Sequence, residues 1–162
     1  MTTLKPSYGS ATAITCTTTS LTSDTNLLAG RQSNVVNNTS DLGVDVIIGG
    51  TIATTSTPTA NTVIEFWLFG SWDNGTTYSA AAGGGDGNFS PATIGSKNLM
   101  SLAAVISQTD TTARTYTLGP ISVGQMFGGV MPDHWGFYVV HNTAQTLGAT
   151  TMKYTPIQYV NV

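Results

Sequence analysis

This sequence predicts an all-β protein: a single antiparallel β-sandwich, of jelly-roll type, carrying an extended N-terminal arm. Three observations lead there. Threonine fills 29 of the 162 positions, and its β-branched side chain suits a pleated surface while staying polar without charge. Apolar residues come in short runs of period two, punctuated by Gly, Pro, Asn and Asp, with no sustained period of 3.6 residues. Only 13 residues are charged, five basic and eight acidic, where an average soluble domain carries about a quarter. Charge keeps proteins apart in solution, so a chain this poor in it is expected to work packed inside an assembly.

The elements run in order along the chain. Residues 1–10, with Lys5-Pro6 and Gly9-Ser10, read as an extended polar arm outside the core. Residues 11–162 read as one domain. Ala11 to Thr19 mixes Thr with small apolar residues and reads as a strand; Ser23 to Asn26 is a turn cluster. Gln32 to Asn38 reads as a thin polar edge strand. Leu42 to Ile52 is a strong strand, and Thr54 to Asn61 a Thr/Ser/Pro-rich connection. Val63 to Phe69 is the most apolar strand. Ile64, Phe66 and Leu68 share one face and Val63, Glu65, Trp67 and Phe69 the other, so both faces are expected to be covered. Ser71 to Tyr78 contains Asn74-Gly75, the strongest short hairpin signal, because both residues tolerate positive φ. Ala80 to Pro91, with Gly83-Gly84-Gly85, reads as a long flexible loop. Leu99 to Gln108 is apolar and fits a strand or a short helix, with strand favoured because Val105-Ile106 lead into a Thr run; Ala113 to Leu118 reads as a strand ended by Gly119-Pro120. Ile121 to Pro132 reads as a loop with one helical turn. Trp135 to Asn142 and Met152 to Val162 are the last strands, making eight or nine. No fixed-period repeat points to a solenoid or propeller.

Composition also excludes. Five basic residues, Lys5, Arg31, Lys97, Arg114 and Lys153, are too few and too scattered to follow a phosphate backbone or form a polybasic membrane patch, so neither nucleic acid nor membrane is an expected partner. No run approaches the roughly 18 apolar residues of a membrane-spanning helix. Met1 to Pro6 lacks a basic region followed by an apolar run, so no secretory leader is expected. Apolar residues make up 40% of the chain, enough for a core. The single Cys16 has no intrachain disulfide partner and reads as a small buried hydrophobe.

Candidate chemistry is sparse. His134 and His141 are seven apart and fall on opposite faces of a continuous strand, so they cannot share a metal. Glu65, the only Glu, sits mid-strand among apolar residues and is expected to pair with Arg114 or Lys97 across the sandwich, or to face an interface. Asp73-Asn74-Gly75 and Asp86-Gly87-Asn88 offer oxygen ligands of the type Ca²⁺ takes, and are equally ordinary turn chemistry. The glycines at 83 to 85 lack the Lys-Ser/Thr of a phosphate loop. No metal, cofactor or catalytic residue is assigned, and the chain reads as a non-enzyme. The aromatics Trp67, Trp72, Trp135, Tyr78, Tyr116 and Tyr138 allow two uses: core and interface filling, or a sugar-stacking platform.

Two stretches carry a resemblance. Gly128-Gly129-Val130-Met131-Pro132-Asp133-His134-Trp135-Gly136-Phe137-Tyr138-Val139-Val140-His141-Asn142-Thr143 resembles small structural proteins of tailed bacteriophages, and Ile64 to Tyr78 together with the opening Lys5 to Ser10 fit the same group. Within it the chain is most similar to head decoration, or cement, proteins. The resemblance implies a β-rich homotrimer on the outer capsid surface of a virion assembled in a bacterial cytoplasm, bound where major capsid subunits meet, with no active site. For such contacts the arm residues Leu4, Lys5, Pro6 and Tyr8 and the loop residues Met126, Phe127 and Met131 are the expected interface. The alternatives are a carbohydrate-binding sandwich of a phage tail or fibre, for which an exposed aromatic row is the signature, and a tail-tube or connector component.

Overall fold

The computed structural model describes every residue except Met1, Thr2 and Leu42. Its strands are β1 (Leu4–Tyr8), β2 (Thr12–Ile14), β3 (Gly30–Gln32), β4 (Val36–Asn37), β5 (Asp45–Thr54), β6 (Thr62–Ser71), β7 (Gly87–Phe89), β8 (Ser101–Gln108), β9 (Thr115–Ser122), β10 (His134–His141) and β11 (Leu147–Asn161). Three single helical turns, α1 (Asn38–Asp41), α2 (Ile94–Lys97) and α3 (Val123–Met126), lie in the connections. Every strand pair is antiparallel. Sheet A runs β1-β11-β5-β9 with β2 also on β11; sheet B runs β7-β3-β10-β6-β8 with β4 also on β10. The fold is an antiparallel β-sandwich.

Period two decides what each sheet buries. Ile64, Phe66 and Leu68 of β6, Trp135, Phe137 and Val139 of β10, Val46, Ile48 and Ile52 of β5, and Met152 of β11 meet between the sheets, each at most 2% exposed. Phe66 and Phe137 stack with ring centroids 4.7 Å apart. Truncating either to Ala costs about 3–5 kcal/mol, because the close-packed interior cannot refill the space. The outer face of sheet A explains the threonine content. Thr117, Thr51 and Thr151 lie side by side across β9, β5 and β11, and the last two share a 2.6 Å hydroxyl contact. That face is wet through hydroxyl groups, with Lys153 on β11 adding a charge.

The outer face of sheet B is covered by the chain itself. Trp67, Phe69, Tyr138 and Val140 point away from the main core and form a second cluster with Ala82 and Met100 from the segment between β6 and β8. Both faces of β6 are therefore buried, as its sequence predicts, and an internal segment supplies the second cover. Lys97, 5% exposed, locks that segment down. Its Nζ donates to Glu65 Oε2 and to the Leu27 carbonyl, each at 2.8 Å, and lies 5.1 Å from the Trp67 ring centre. The Trp67 indole N–H donates to the same Glu65 oxygen at 2.8 Å. Glu65 thus pairs with Lys97, on the outer face of sheet B and not across the sandwich; Arg114 pairs with Asp110 instead, at 2.5 Å.

Four further expectations are corrected. Asn74 and Gly75 do take positive φ, 58° and 76°, but the chain leads on into a 3₁₀ turn at Ser79–Ala81 and the strand that returns along β6, β8, begins only at Ser101, so Ser71 to Tyr78 is a turn without a hairpin. Ala80 to Pro91 is tied rather than free: the Gln32 side chain donates to the carbonyls of Gly83 and Gly85 and accepts from the Gly83 N–H at 3.0 Å, and β7 pairs with β3. Gly119-Pro120 does not end its strand, since β9 runs through it as a sheet edge, where a missing donor does little harm. The polar strand at 32–38 divides into β3 and β4, both on β10. Of the stretch expected as a strand from Leu42, Leu42 itself lies outside the described residues.

Candidate interaction surface

The arm residues form β1, paired with the end of β11 from Leu4↔Asn161 to Tyr8↔Ile157. On its other side β11 pairs with β5 only as far as Ile157↔Asp45. Beyond Ile157 the two strands continue as a ribbon that overhangs sheet A. Register places Leu4, Pro6, Tyr8, Ile157 and Tyr159 on one face of it, the face turned away from the core. Leu4 is 62%, Tyr8 69% and Tyr159 60% exposed. A two-stranded ribbon by itself is marginal in water, and this one shows an apolar face to solvent.

The loop after β9 reaches the same end of sheet A. Asp45 opens β5, and its carboxylate accepts from the Gly124 N–H at 2.8 Å and the Ser122 hydroxyl at 2.6 Å, which fixes α3 beside it. Ser122 also caps α3, accepting from the Gln125 N–H. Across the sheet, Asp45 faces Ile157 and Ile157 faces Tyr8, two strand spacings or about 10 Å away. The two sequence-predicted contact regions therefore share one end of the sandwich.

Their side chains divide differently from expectation. Leu4, Lys5, Pro6 and Tyr8 are exposed. Met126, Phe127 and Met131 are half-buried and pack against the main core, because the turn of α3 folds them inward. The exposed apolar residues nearby are Val130, at 73%, and Trp72, at 76%. Trp72, Val130, Phe127, Met131 and Pro132 line an open groove of about 410 Å³. Val130 had a readable signal, since it follows Gly128 and Gly129, both at positive φ, which hold it out of the core. Tyr159 had none, because its partner register is set by residues 150 positions away.

The titratable groups are mostly consumed by structure. The Asp73 carboxylate accepts from the Thr77 and Thr76 N–H groups and the Ser71 hydroxyl, which hold its pKa down at about 2. Burial works against a charge on Asp86, but hydrogen bonds from Arg31 and Thr17 outweigh it and hold that pKa at about 2 as well. Burial pushes the Cys16 thiol up to about 12, so it is not a nucleophile at neutral pH. His141 is fully buried. Its Nε2 faces the Leu21 carbonyl at 3.1 Å, an acceptor only, so the proton sits there and Nδ1 accepts from Thr143. His134, on the opposite face of β10, lies 3.2 Å from Asp133. Among the described residues no three His, Cys, Asp or Glu side chains gather as a metal site. The aromatic row is not assembled: Trp135 and Tyr138 are fully buried, Trp67 is 7% exposed, and Trp72 alone of the three tryptophans reaches solvent.

No protein-family model, no curated protein and no solved structure matches this chain.

Proposed function

We propose that this chain is a structural component of a virion, a head decoration protein that docks on the outer capsid surface of a bacteriophage and braces contacts between major capsid subunits. The observation that carries the reading is the overhanging β1–β11 ribbon with its solvent-facing Leu4, Pro6, Tyr8 and Tyr159, on a molecule with only 13 charged residues. Such a ribbon gains stability by laying its apolar face on a neighbour, and low charge reduces the desolvation cost of that contact. A small contact suffices for a protein present in hundreds of copies per particle, because binding of the assembled state alone stabilises it. The strand orders β2-β11-β5-β9 and β3-β10-β6-β8 support a jelly-roll description, an architecture that recurs in capsid proteins. The analogy is one of architecture, and function rests on the surface.

The carbohydrate-binding alternative is disfavoured by the burial of Trp67, Trp135 and Tyr138. The test is co-sedimentation of the purified chain with empty phage capsids. Saturable pelleting that is lost in Tyr8→Lys and Tyr159→Lys, both exposed and tolerant of the change, is the expected result. Failure to pellet, or pelleting unchanged in both variants, overturns the proposal.

A further inference from the structure

Each sheet of this sandwich ends in two edge strands, and three of the four edges carry devices against pairing with another chain. β1 holds Lys5 and Pro6. β7 is three residues long. β9 contains Gly119-Pro120 and follows Arg114. Charge, proline and shortness are the ordinary means by which an edge is kept unsociable. β8 differs. Its eight residues, Ser-Leu-Ala-Ala-Val-Ile-Ser-Gln, include no charge and no proline. No strand of the described residues lies on its far side. One bulge, at Ala103, interrupts its ladder with β6 and leaves Ala104 to Gln108 as a regular run.

The direction of the free backbone groups follows from the register. Val63 N–H and C=O are both engaged by Asn142, on the β10 side of β6. They therefore point away from β8, and the facing pair Val63↔Ser107 is a non-hydrogen-bonded one. Alternation makes Glu65↔Val105 the same type. The N–H and C=O groups of Ser107 and Val105 accordingly turn outward, past the edge of the sheet. Ser107 is exposed and Val105 is 49% exposed, so this side is open. Leu102, at 42%, lies on the same outer face, because the bulge brings residues three apart into line.

We infer that β8 pairs with β8 of a second copy of this chain, antiparallel, about a two-fold axis at Ile106. In that register Val105 of each copy faces Ser107 of the other, and each pair exchanges two N–H···O=C bonds, four in all. The two half-buried Ile106 side chains meet across the axis as a non-hydrogen-bonded pair, the closer kind, with Cα atoms about 4.5 Å apart. The two B sheets become one continuous sheet. A second β8 is the occupant that fits best: it brings no charge to oppose the first, supplies a partner for each outward N–H and C=O of Val105 and Ser107, and matches itself under a two-fold. Pairing with β1 or β9 would meet a proline lacking the required N–H. In that register residues 104 to 108 of the two copies overlap, a strip about 17 Å long at 3.3–3.4 Å per residue and about 10 Å deep. It covers on the order of 170 Å² per copy, far below the roughly 800 Å² of a stable complex. The dimer is thus weak in free solution and is reinforced wherever copies are held side by side. A three-fold assembly would need two different surfaces, so this pairing stands against the trimer the sequence resemblance implies.

Sedimentation equilibrium of the full chain, from about 10 µM to about 1 mM, tests this, with Ser107→Pro, Val105→Lys and, as a control on the other edge, Thr117→Lys. The proline removes only an outward N–H and the lysine sits on an exposed position, so circular dichroism is expected to show both folded. Should the proline variant misfold, Val105→Lys alone decides. The expected result is a monomer–dimer equilibrium whose Kd rises at least tenfold in the β8 variants and stays put in Thr117→Lys. A monomer throughout, a trimer, or a dimer indifferent to the β8 changes overturns the inference.

Discussion

Lys97→Met is the most informative single substitution, because three interactions converge on one ammonium group. The change removes an ion pair to Glu65 at 2.8 Å, a hydrogen bond to the Leu27 carbonyl at 2.8 Å and a cation–π contact to Trp67 at 5.1 Å. It leaves the Glu65 carboxylate, whose side chain is 15% exposed, to the Trp67 indole N–H. Breaking a buried pair by deleting one member costs about 3–5 kcal/mol. Partial exposure of Glu65 places the expectation near 3 kcal/mol, a large share of the roughly 5–15 kcal/mol that holds a domain folded. Adding Glu65→Gln removes the stranded charge and keeps an acceptor for the indole. The double variant is therefore expected to be more stable than Lys97→Met alone, at a total loss of about 1–2 kcal/mol, since an uncharged replacement avoids the desolvation penalty. Urea denaturation followed by tryptophan fluorescence reads both values. If Lys97→Met costs under about 1 kcal/mol, or the double variant is the less stable of the two, the pair is not holding the segment between β6 and β8 in place.

Acid should destabilise the fold in two stages. Desolvation lowers the His141 pKa from its ordinary 6.5, so the unfolded chain takes up a proton more readily, and stability present above about pH 6.5 declines as pH falls through the lowered folded value. Asp86, depressed from 3.8 to about 2, contributes about 2 kcal/mol that is lost as pH drops from about 4 to below 2; thermal melts across pH 8 to 2 should show both steps, and Asp86→Asn should shrink the second, leaving the part due to Asp73 and the other lowered carboxylates. Iodide should quench one tryptophan of three, and Trp72→Phe should abolish the quenching without lowering the melting temperature; quenching that survives would mean Trp67 or Trp135 is accessible. Cys16 should resist a thiol reagent in native buffer at pH 8 and react fully in denaturant, a difference that vanishes if the thiol is exposed. Gly83→Ala should cost 2 kcal/mol or more, because φ there is +110° and a Cβ would lie 2.3 Å from the Tyr78 ring; a melting temperature within a degree of wild type would contradict that geometry.

The strands with two apolar faces or clean alternation were readable from sequence: β6, β10 and the core of β5 fall where their side-chain pattern puts them, while β8 was favoured over a short helix only by its β-branched Val105-Ile106. Local pattern is enough for these because burial of alternate residues fixes them whatever their neighbours do. Segments whose conformation depends on distant partners were not. Gly83 to Gly85 looks flexible in isolation and is held by Gln32, fifty residues earlier. Asn74-Gly75 specifies the turn it makes, but the path of the chain after Tyr78 is decided by the apolar outer side of β6, which needed a cover more than a partner strand. The contact surface was half legible. Exposed Leu4 and Tyr8 could be named from an arm outside the apolar pattern, whereas nothing local marks Met126, Phe127 and Met131 as turned inward. That is decided by the turn of α3, fixed by Asp45 from another strand.

β11 is bonded to β1, β2 and β5 together, at separations of about 100 to 157 residues. Without it sheet A falls into three pieces that share no ladder. Shorter-range contacts can start β6 with β8, but no sandwich closes until the last strand in chain order has been made and threaded between partners already present. Loop closure over such spans is entropically costly and slow. Until β11 is made, sheet B has all its strands but sheet A is still in pieces, so closure of the sandwich is a late event. The same wiring makes β11 the strand whose removal should undo the whole molecule.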